Sequence, residues 1–396
     1  MTLHRISQSQ RDPDFVQDPY PFYDRARTLG ELFLWEEYGF PCSASFRTVS
    51  ALLRDRRFGR EAPTGVLPAV PSRLEPFYVI DRASMLEREP PEHTRLRSGV
   101  LRAFTSRKIA GLEPEIRALC HHLIDGFGPE TDLLPAYAEV IPVTIITRML
   151  GVPEEMGPQL LAWSHDMVAM YQSRRDRGIE DRAVAATIAF SDYLQGLITA
   201  RRKAPKDDLI SELVAAHASD RLSDTELIAT CILLLNAGHE ATVHTIGNGV
   251  KAVLECGFDP ECLFSAEAKT QSLTEEVMRF DAPLHLFTRY ALEDVQVAGH
   301  SFRTGDKVGL LLAAANRDPL QYSDPARFDP ERGGTGQLAF GAGIHFCLGA
   351  PLARLEMNVA LPVLFERLPL LNLAKQPRYA DRYHFHGLEE LVVNCA

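Results

Sequence analysis

The sequence predicts an α-rich α+β fold, mainly helical with small β-sheets, in a single domain over 1–396. Three observations carry this. From about Pro91 to Ala200 apolar residues recur three and four apart, as in LRSGVLRAF, IRALCHHLI and LLAWSHDMVAMY, which is the helical period. Ser223 and Glu226 then form a capping box in front of LIATCILLLNAGHEATVHTIGNGVKAVLE, which predicts a helix of about 30 residues, some 45 Å long. Beyond residue 280 the pattern changes to short β-prone pieces divided by Gly-containing turns. No Gly-, Ser- or Pro-rich linker, low-complexity tract or internal repeat marks a border between domains.

Taken in order, Leu32 to Trp35 is β-prone, and Val49, Leu52 and Leu53 have helical spacing. Residues 61 to 83 carry four prolines and little periodicity and read as a long loop. The charged run SRRDRGIEDR (173 to 182) reads as a solvated turn between helices. Within the long helix, ATCILLLNA is apolar on every face, so this helix passes through the core, with Gly238 placed where it can bend. TRYALEDVQVAGHSFRTGDKVGLLLAAANRD predicts a small sheet, a last helix follows from about Gly349 to Leu368, and the tail RYHFHGLEELVVNCA reads as a hairpin.

Lys plus Arg is 42 against 53 Asp plus Glu, a formal charge of -11. That balance argues against a protein whose main work is to neutralise nucleic acid or anionic lipid. The seven cysteines are scattered, with no C-x-x-C pair, and the N-terminus MTLHRISQSQRDPDF is polar. The most apolar run, Ile228 to Ala237, falls short of the roughly 20 residues that span a bilayer. The expectation is a cytoplasmic chain with no membrane anchor and no nucleic-acid partner.

The strongest chemical signal is FGAGIHFCLGAPLARLE, Phe340 to Glu356. Cys347 sits immediately before a helical sequence, where unpaired N–H groups and the positive end of the dipole stabilise a thiolate. Gly341, Gly343 and Gly349 strip side chains from the loop, as a flat, bulky group close to the backbone would require. Haem is one cofactor that takes a single Cys thiolate as axial ligand. A dinucleotide fingerprint fails because Phe346 stands where Gly or Ala is needed, and a zinc site lacks a second Cys or His pair at ligand spacing. A merely buried Cys leaves the glycines unexplained.

Phe340-Gly341-x-Gly343-x-His345-x-Cys347-x-Gly349 resembles the haem-ligand signature of the cytochrome P-450 superfamily without a mismatch. The resemblance implies the cytochrome P-450 fold of the soluble bacterial type, with Cys347 as proximal ligand of the iron of haem b and His345 at a propionate. It extends along the chain in the family's order. Glu276 and Arg279 look like the E-x-x-R pair, and Arg327 in Pro325-Ala326-Arg327-Phe328 looks like the arginine that joins it in an ion-pair network. Read alone, an i, i+3 pair is a surface salt bridge. His93 and Arg97 are i and i+4 on a helix whose other face carries Leu96, Val100, Ala103 and Phe104, so they can reach one ligand together. The family places propionate-binding groups there and at Arg289.

Ala237-Gly238-His239-Glu240-Ala241-Thr242 resembles the family's oxygen-activation segment, with Glu240 in the acidic position. The threonine expected next is replaced by Ala241, and Thr242 is one residue late. That turns its side chain by about 100°. The resemblance implies a monooxygenase that inserts one atom of O2 into an organic substrate by hydroxylation or dealkylation, and the expected pocket lining suggests a small apolar or aromatic one. By the same resemblance Glu240 would relay protons with ordered water, Thr242 being a further candidate, and since Ala241 cannot donate a hydrogen bond, water or a polar group of the substrate is expected to complete the relay. A pocket is expected from the loop before His93, Trp163 to Tyr171, Leu233, Ala237 and their helix as far as Thr245, Leu284, His285 and Leu286, and Phe385 with His386. Arg95, Arg102, Arg107 and Lys108 form a local basic stretch on which a ferredoxin-type electron donor is expected to dock. A peroxide-driven peroxygenase and a non-catalytic haem-binding sensor are the alternatives.

Overall fold

One helix, Asp224–Glu255, runs for 32 residues without interruption, and its start is the capping box read from the sequence. The Ser223 N–H donates to Glu226 Oε2 (2.7 Å) and the Glu226 N–H donates to Ser223 Oγ (3.2 Å). The helical ladder continues through Gly238 with no break. A Cβ there would meet Ile146 Cγ1 at an ordinary 3.7 Å, so neither a bend nor a clash calls for the glycine.

The computed structural model describes the chain apart from residues 1, 2, 68, 103, 173, 218–221, 334, 335 and 396. Ala103 of the expected apolar helix face therefore lies outside the described residues. By its contacts the chain divides into two compact units. One comprises Met1–Leu67, Glu113–Ala138 and Ala241–Ala396, the other Pro68–Leu112 and Glu139–Glu240.

The first unit carries every strand found among the described residues: β1 (Arg5–Ile6), β2 (Phe33–Trp35), β3 (Phe40–Ser43), β4 (Phe58–Gly59), β5 (Glu130–Asp132), β6 (Leu286–Ala291), β7 (Val295–Val297), β8 (His300–Phe302), β9 (Lys307–Leu311), β10 (Asn372–Leu373) and β11 (Val392–Asn394). They form a six-stranded sheet in the order β1-β2-β3-β9-β6-β4, a three-stranded sheet β10-β11-β5 and the hairpin β7-β8. The central pair β6 and β9 is antiparallel, with Leu286 opposite Leu311 and Arg289 opposite Val308. Phe15, Phe22, Tyr23, Phe33 and Trp35 pack with Leu286 and Leu311 in one apolar cluster of this unit. In the tail an antiparallel bridge joins Tyr379 to Leu388, and the strand expected to complete a hairpin, β11, instead pairs with β5 and β10.

The regular elements of the second unit are helices among the described residues. Among the described residues one helix, Arg177–Lys203, is long and apolar enough to cross a membrane by length and composition, a longer segment than the run Ile228 to Ala237. Here it packs on the helices Gly157–Val168, Leu209–His217 and Glu75–Ala83, burying Ala183, Ala186, Phe190, Leu194 and Ile198 along one stripe. Glu75–Ala83 also corrects the reading of 61 to 83 as loop. Pro76 stands in the first turn, where a proline costs no hydrogen bond, and Phe77, Ile80 and Ala83 form the buried face.

Candidate active site

The loop that carries Cys347 lies between a turn at Gly343–His345 and the helix Ala350–Arg367. Its path is set by backbone hydrogen bonds from Gly341 N to Leu338 O (2.8 Å), Phe346 N to Gly343 O (3.1 Å) and Cys347 N to Phe340 O (3.0 Å). Gly341 and Gly343 have φ of +66° and +74°, a conformation that favours glycine. At Gly343 the chain itself adds a reason, since a Cβ would lie 2.3 Å from Leu53 O at the end of the helix Phe46–Arg54. At Gly349 a Cβ would touch only Cys347 Sγ, at 3.9 Å.

Cys347 is exposed, and beside it Phe346 is 38% exposed. Other thiols contrast with it. Burial pushes the Cys120 thiol up to about 11 and that of Cys231 to about 12, so both stay protonated. Of the exposed pair, Cys262 accepts from Lys269 Nζ at 3.5 Å, while Cys347 alone precedes a long helix. Phe340 is held from one side by Arg354, whose guanidinium lies 4.5 Å from the ring centroid. Farther along the same helix burial raises the Glu356 carboxyl to about 8, so it is largely neutral at pH 7.

The E-x-x-R pair lies on the helix Glu267–Phe280. Arg279 donates through Nε to Glu276 Oε2 (2.7 Å) and through Nη2 to Oε1 (2.8 Å), both side chains being 2% exposed. Its remaining donors reach the carbonyls of Asn316 (3.0 Å), Pro325 (2.9 Å) and Arg327 (3.1 Å). The Arg327 side chain is exposed, and the residue joins the network through its backbone carbonyl, which also accepts from Arg332 Nη2 (3.0 Å). The arginine that joins Glu276 is Arg332, with Nε 3.3 Å from Oε2. This corrects the expectation for Arg327: the turn after Pro325 directs the later side chain inward. The neighbouring Glu275 accepts from Gln337 Nε2 (3.2 Å) and Arg354 Nε (2.5 Å), on either side of the Cys347 loop. Glu275, Arg332 and Arg354 escaped the sequence reading, although Glu275 adjoins the E-x-x-R motif.

In the second unit His93 is buried and Arg97 half-buried, four apart on the helix Glu92–Leu101, with Leu96 and Val100 buried. Arg95, on another face, pairs bidentately with Glu226 of the capping box, which ties this helix to the start of Asp224–Glu255. Lys108 pairs with Glu212, whereas Arg102 and Arg107 are exposed. On the long helix Ala237 is exposed, with Leu233 and Ala241 half-buried. These are i, i+4 and i+8, a single open stripe on a helix otherwise largely covered. Glu240 is buried, with His165 Nε2 at 3.3 Å and His239 Nε2 at 3.6 Å from its Oε1. The Ala241 carbonyl accepts from Thr245 Oγ1 (2.7 Å), and Thr242 is buried.

The other expected positions lie in the first unit. Arg289 is buried on β6 with Nη1 donating to Thr288 O (3.0 Å), and His345 is half-buried. Leu284 bridges to Phe385, both half-buried, and Leu286 belongs to the core. His285 and His386 are buried in an aromatic network, His285 through Nδ1 while its Nε2 has no hydrogen-bond partner. Tyr23 OH bonds His285 Nδ1 and Tyr383 OH, each at 2.8 Å, and His386 stacks on Tyr379 at 3.8 Å. Asp281 accepts from the hydroxyls of Tyr20 (3.1 Å) and Tyr379 (2.5 Å). Burial holds both imidazoles well below their ordinary pKa, hence neutral.

The family model "Cytochrome P450" matches residues 270–381, which include the E-x-x-R residues Glu276 and Arg279 and the Cys347 loop. The chain is 33% identical over 396 residues to the biotin biosynthesis cytochrome P-450 of Bacillus subtilis (strain 168), covering 98% of this chain and 99% of that one. It is 36% identical over 385 residues to the cytochrome P-450 monooxygenase PikC of Streptomyces venezuelae, covering 92% and 87%. Among solved structures, P450BioI in complex with a hexadec-9Z-enoic acid ligated acyl carrier protein superposes with a TM-score of 0.91 at 33% identity, over 97% of this chain and 100% of that chain. Likeness of this extent, on a chain whose buried Glu276–Arg279 pair and exposed Cys347 loop fall inside the matched region, shows that it belongs to the cytochrome P-450 family of bacterial monooxygenases.

Proposed function

We propose that the chain holds one haem b with Cys347 as its thiolate ligand and oxidises a small apolar or aromatic organic substrate. The family implies a haem. The residues present fit one: an exposed thiol on a glycine-bearing loop ahead of a long helix is the observation that carries the reading. The small side chains of the exposed Ala237 and half-buried Ala241 fit the same group. His93, Arg97, Arg289 and His345 would pair with its propionates, and Phe340, Gly341 and Gly349 would border it.

When bound, the haem supplies dioxygen activation, using two electrons from a redox partner to place one oxygen atom in substrate and release the other as water. The chain's own residues do the rest. Helix dipole and backbone N–H groups stabilise negative charge on Cys347. Glu240 holds and passes protons, and because Ala241 has no hydroxyl, ordered water or a polar group of the substrate completes the path, with Thr242 one position on. Leu233, Ala237, Leu284 and Phe385 offer apolar surface to the substrate, whereas Leu286, expected in the pocket, is buried in the core and with His285 and His386 supports that surface from behind. A ferredoxin-type donor docks at the basic stretch holding Arg95, Arg102, Arg107 and Lys108. The two units work as one cytochrome P-450 domain, and seven free thiols suit the cytoplasm.

The test is the absorption spectrum of the reduced holoenzyme under carbon monoxide. Wild type should show the red-displaced band of a thiolate-bound haem and Cys347→Ser should lose it while retaining haem. A wild-type spectrum without that band refutes the assignment. Ala241 favours one second reading, a peroxygenase. Turnover with hydrogen peroxide that outpaces turnover with ferredoxin and its reductase would establish it.

A further inference from the structure

We propose that His165, His239 and Glu240 form a binding site for a divalent transition-metal ion, distinct from the haem thiolate. The three come from two helices of one unit, His165 from Gly157–Val168 and the adjacent pair from Asp224–Glu255. Their ligand atoms all lie within 4.8 Å of one another. The distances from Glu240 Oε1 to His165 Nε2 and His239 Nε2 are 3.3 and 3.6 Å. A tetrahedral zinc with bonds of about 2.0–2.1 Å places its ligand atoms about 3.3–3.4 Å apart, so both distances to Glu240 already match, and rotation of the exposed His165 can bring the third ligand in.

The state of His239 gives an independent reason. Its Nδ1 lies 2.9 Å from the Leu235 carbonyl, which can only accept, so Nδ1 carries a proton. In the neutral ring Nε2 then presents a lone pair. That atom has no hydrogen-bond partner, its side chain is 0% exposed, and it faces a carboxylate oxygen that also presents lone pairs. A buried, unpartnered imidazole nitrogen beside a carboxylate oxygen is an arrangement that a cation satisfies. The Leu235 carbonyl is also the kind of outer partner that orients ligating histidines. His165, with 42% of its side chain exposed, supplies the third ligand and an entry route. Three protein ligands leave a fourth position for water. Two imidazoles and one carboxylate suit zinc, cobalt or nickel and disfavour magnesium and calcium, which take oxygen ligands.

The consequence for activity rests on the reading of Glu240 as the proton-passing acid: a metal on that carboxylate withdraws it and slows turnover. Equilibrium dialysis of untagged holoenzyme against micromolar zinc separates the two ideas. Wild type should retain one zinc per chain, in preference to magnesium. His165→Ala should bind it roughly tenfold or more weakly, as expected when a coordinating interaction is lost, and His239→Ala likewise. The carbon monoxide spectrum of His165→Ala should match wild type, which certifies its fold. Zinc that is not retained, or is retained equally by both variants, overturns the site. So does zinc lost on His386→Ala instead, since Asp281, His285 and His386 are the other such cluster among the described residues. Zinc that binds at His165 yet leaves product formation unchanged keeps the site and removes Glu240 from the proton path.

Discussion

Arg279 places all its charge against Glu276 and directs its remaining donors at three carbonyls of the segment that leads to Cys347. Removing it leaves Glu276 buried with only Arg332 as counter-charge. Arg279→Ala should therefore destabilise the protein by about 3–5 kcal/mol, the usual penalty for breaking a buried pair. Arg332→Ala should cost less, because Arg279 still satisfies the carboxylate, and Arg327→Ala should be within about 0.5 kcal/mol of wild type because its side chain is exposed. Thermal or urea unfolding of the three variants checks the ranking, and a large loss at Arg327 with none at Arg332 would reverse it. The pair Glu276–Arg279 was legible because i and i+3 share a helix face. Which later arginine turns inward was not, since that depends on an irregular turn in which Asp324 adopts φ of +47°. Gly343 teaches the same lesson: sequence suggested room for a cofactor, whereas the nearest obstacle to a side chain is Leu53 O.

At the scale of elements, regular periodicity was easy to read and proline-rich sequence was not. The capping box and a long apolar run located Asp224–Glu255 almost to the residue. The helix Glu75–Ala83 was missed because Pro76 looks like a breaker until it is known to occupy the first turn. On the long helix, the open stripe Leu233, Ala237 and Ala241 could not be distinguished from core packing, since small apolar residues serve both. Ala241 lies on that stripe, half-buried, so a threonine fits there and can bond back to the preceding turn. If water or substrate already completes proton delivery, Ala241→Thr should change product formed per reduced cofactor only slightly, far below the roughly hundredfold that acid–base groups contribute. A large gain with every substrate would show instead that the missing hydroxyl is a defect.

Over the whole molecule, helical dominance with small sheets was legible, but the division into two compact units was not. The chain crosses their border four times, at 67/68, 112/113, 138/139 and, within a continuous helix, at 240/241, so no composition shift marks it. Net charge, by contrast, is a property of the entire chain that sequence states directly. At -11 this protein repels an acidic electron carrier at long range, so docking depends on a local basic patch. Arg95 and Lys108 already pair with Glu226 and Glu212, which leaves the exposed Arg102 and Arg107 as the groups best placed to meet a partner. Reversing both to Glu should slow reduction by an acidic ferredoxin on the order of tenfold at low salt and flatten its ionic-strength dependence. Screening over about 8 Å at physiological salt should bring variant and wild type closer together. Stopped-flow reduction across a salt series checks this, with the carbon monoxide spectrum as a control for an intact haem site. If the reversed protein is reduced at the wild-type rate at every salt concentration, the carrier docks elsewhere, and the charge of this stretch serves only to hold the second unit together through Arg95 and Lys108.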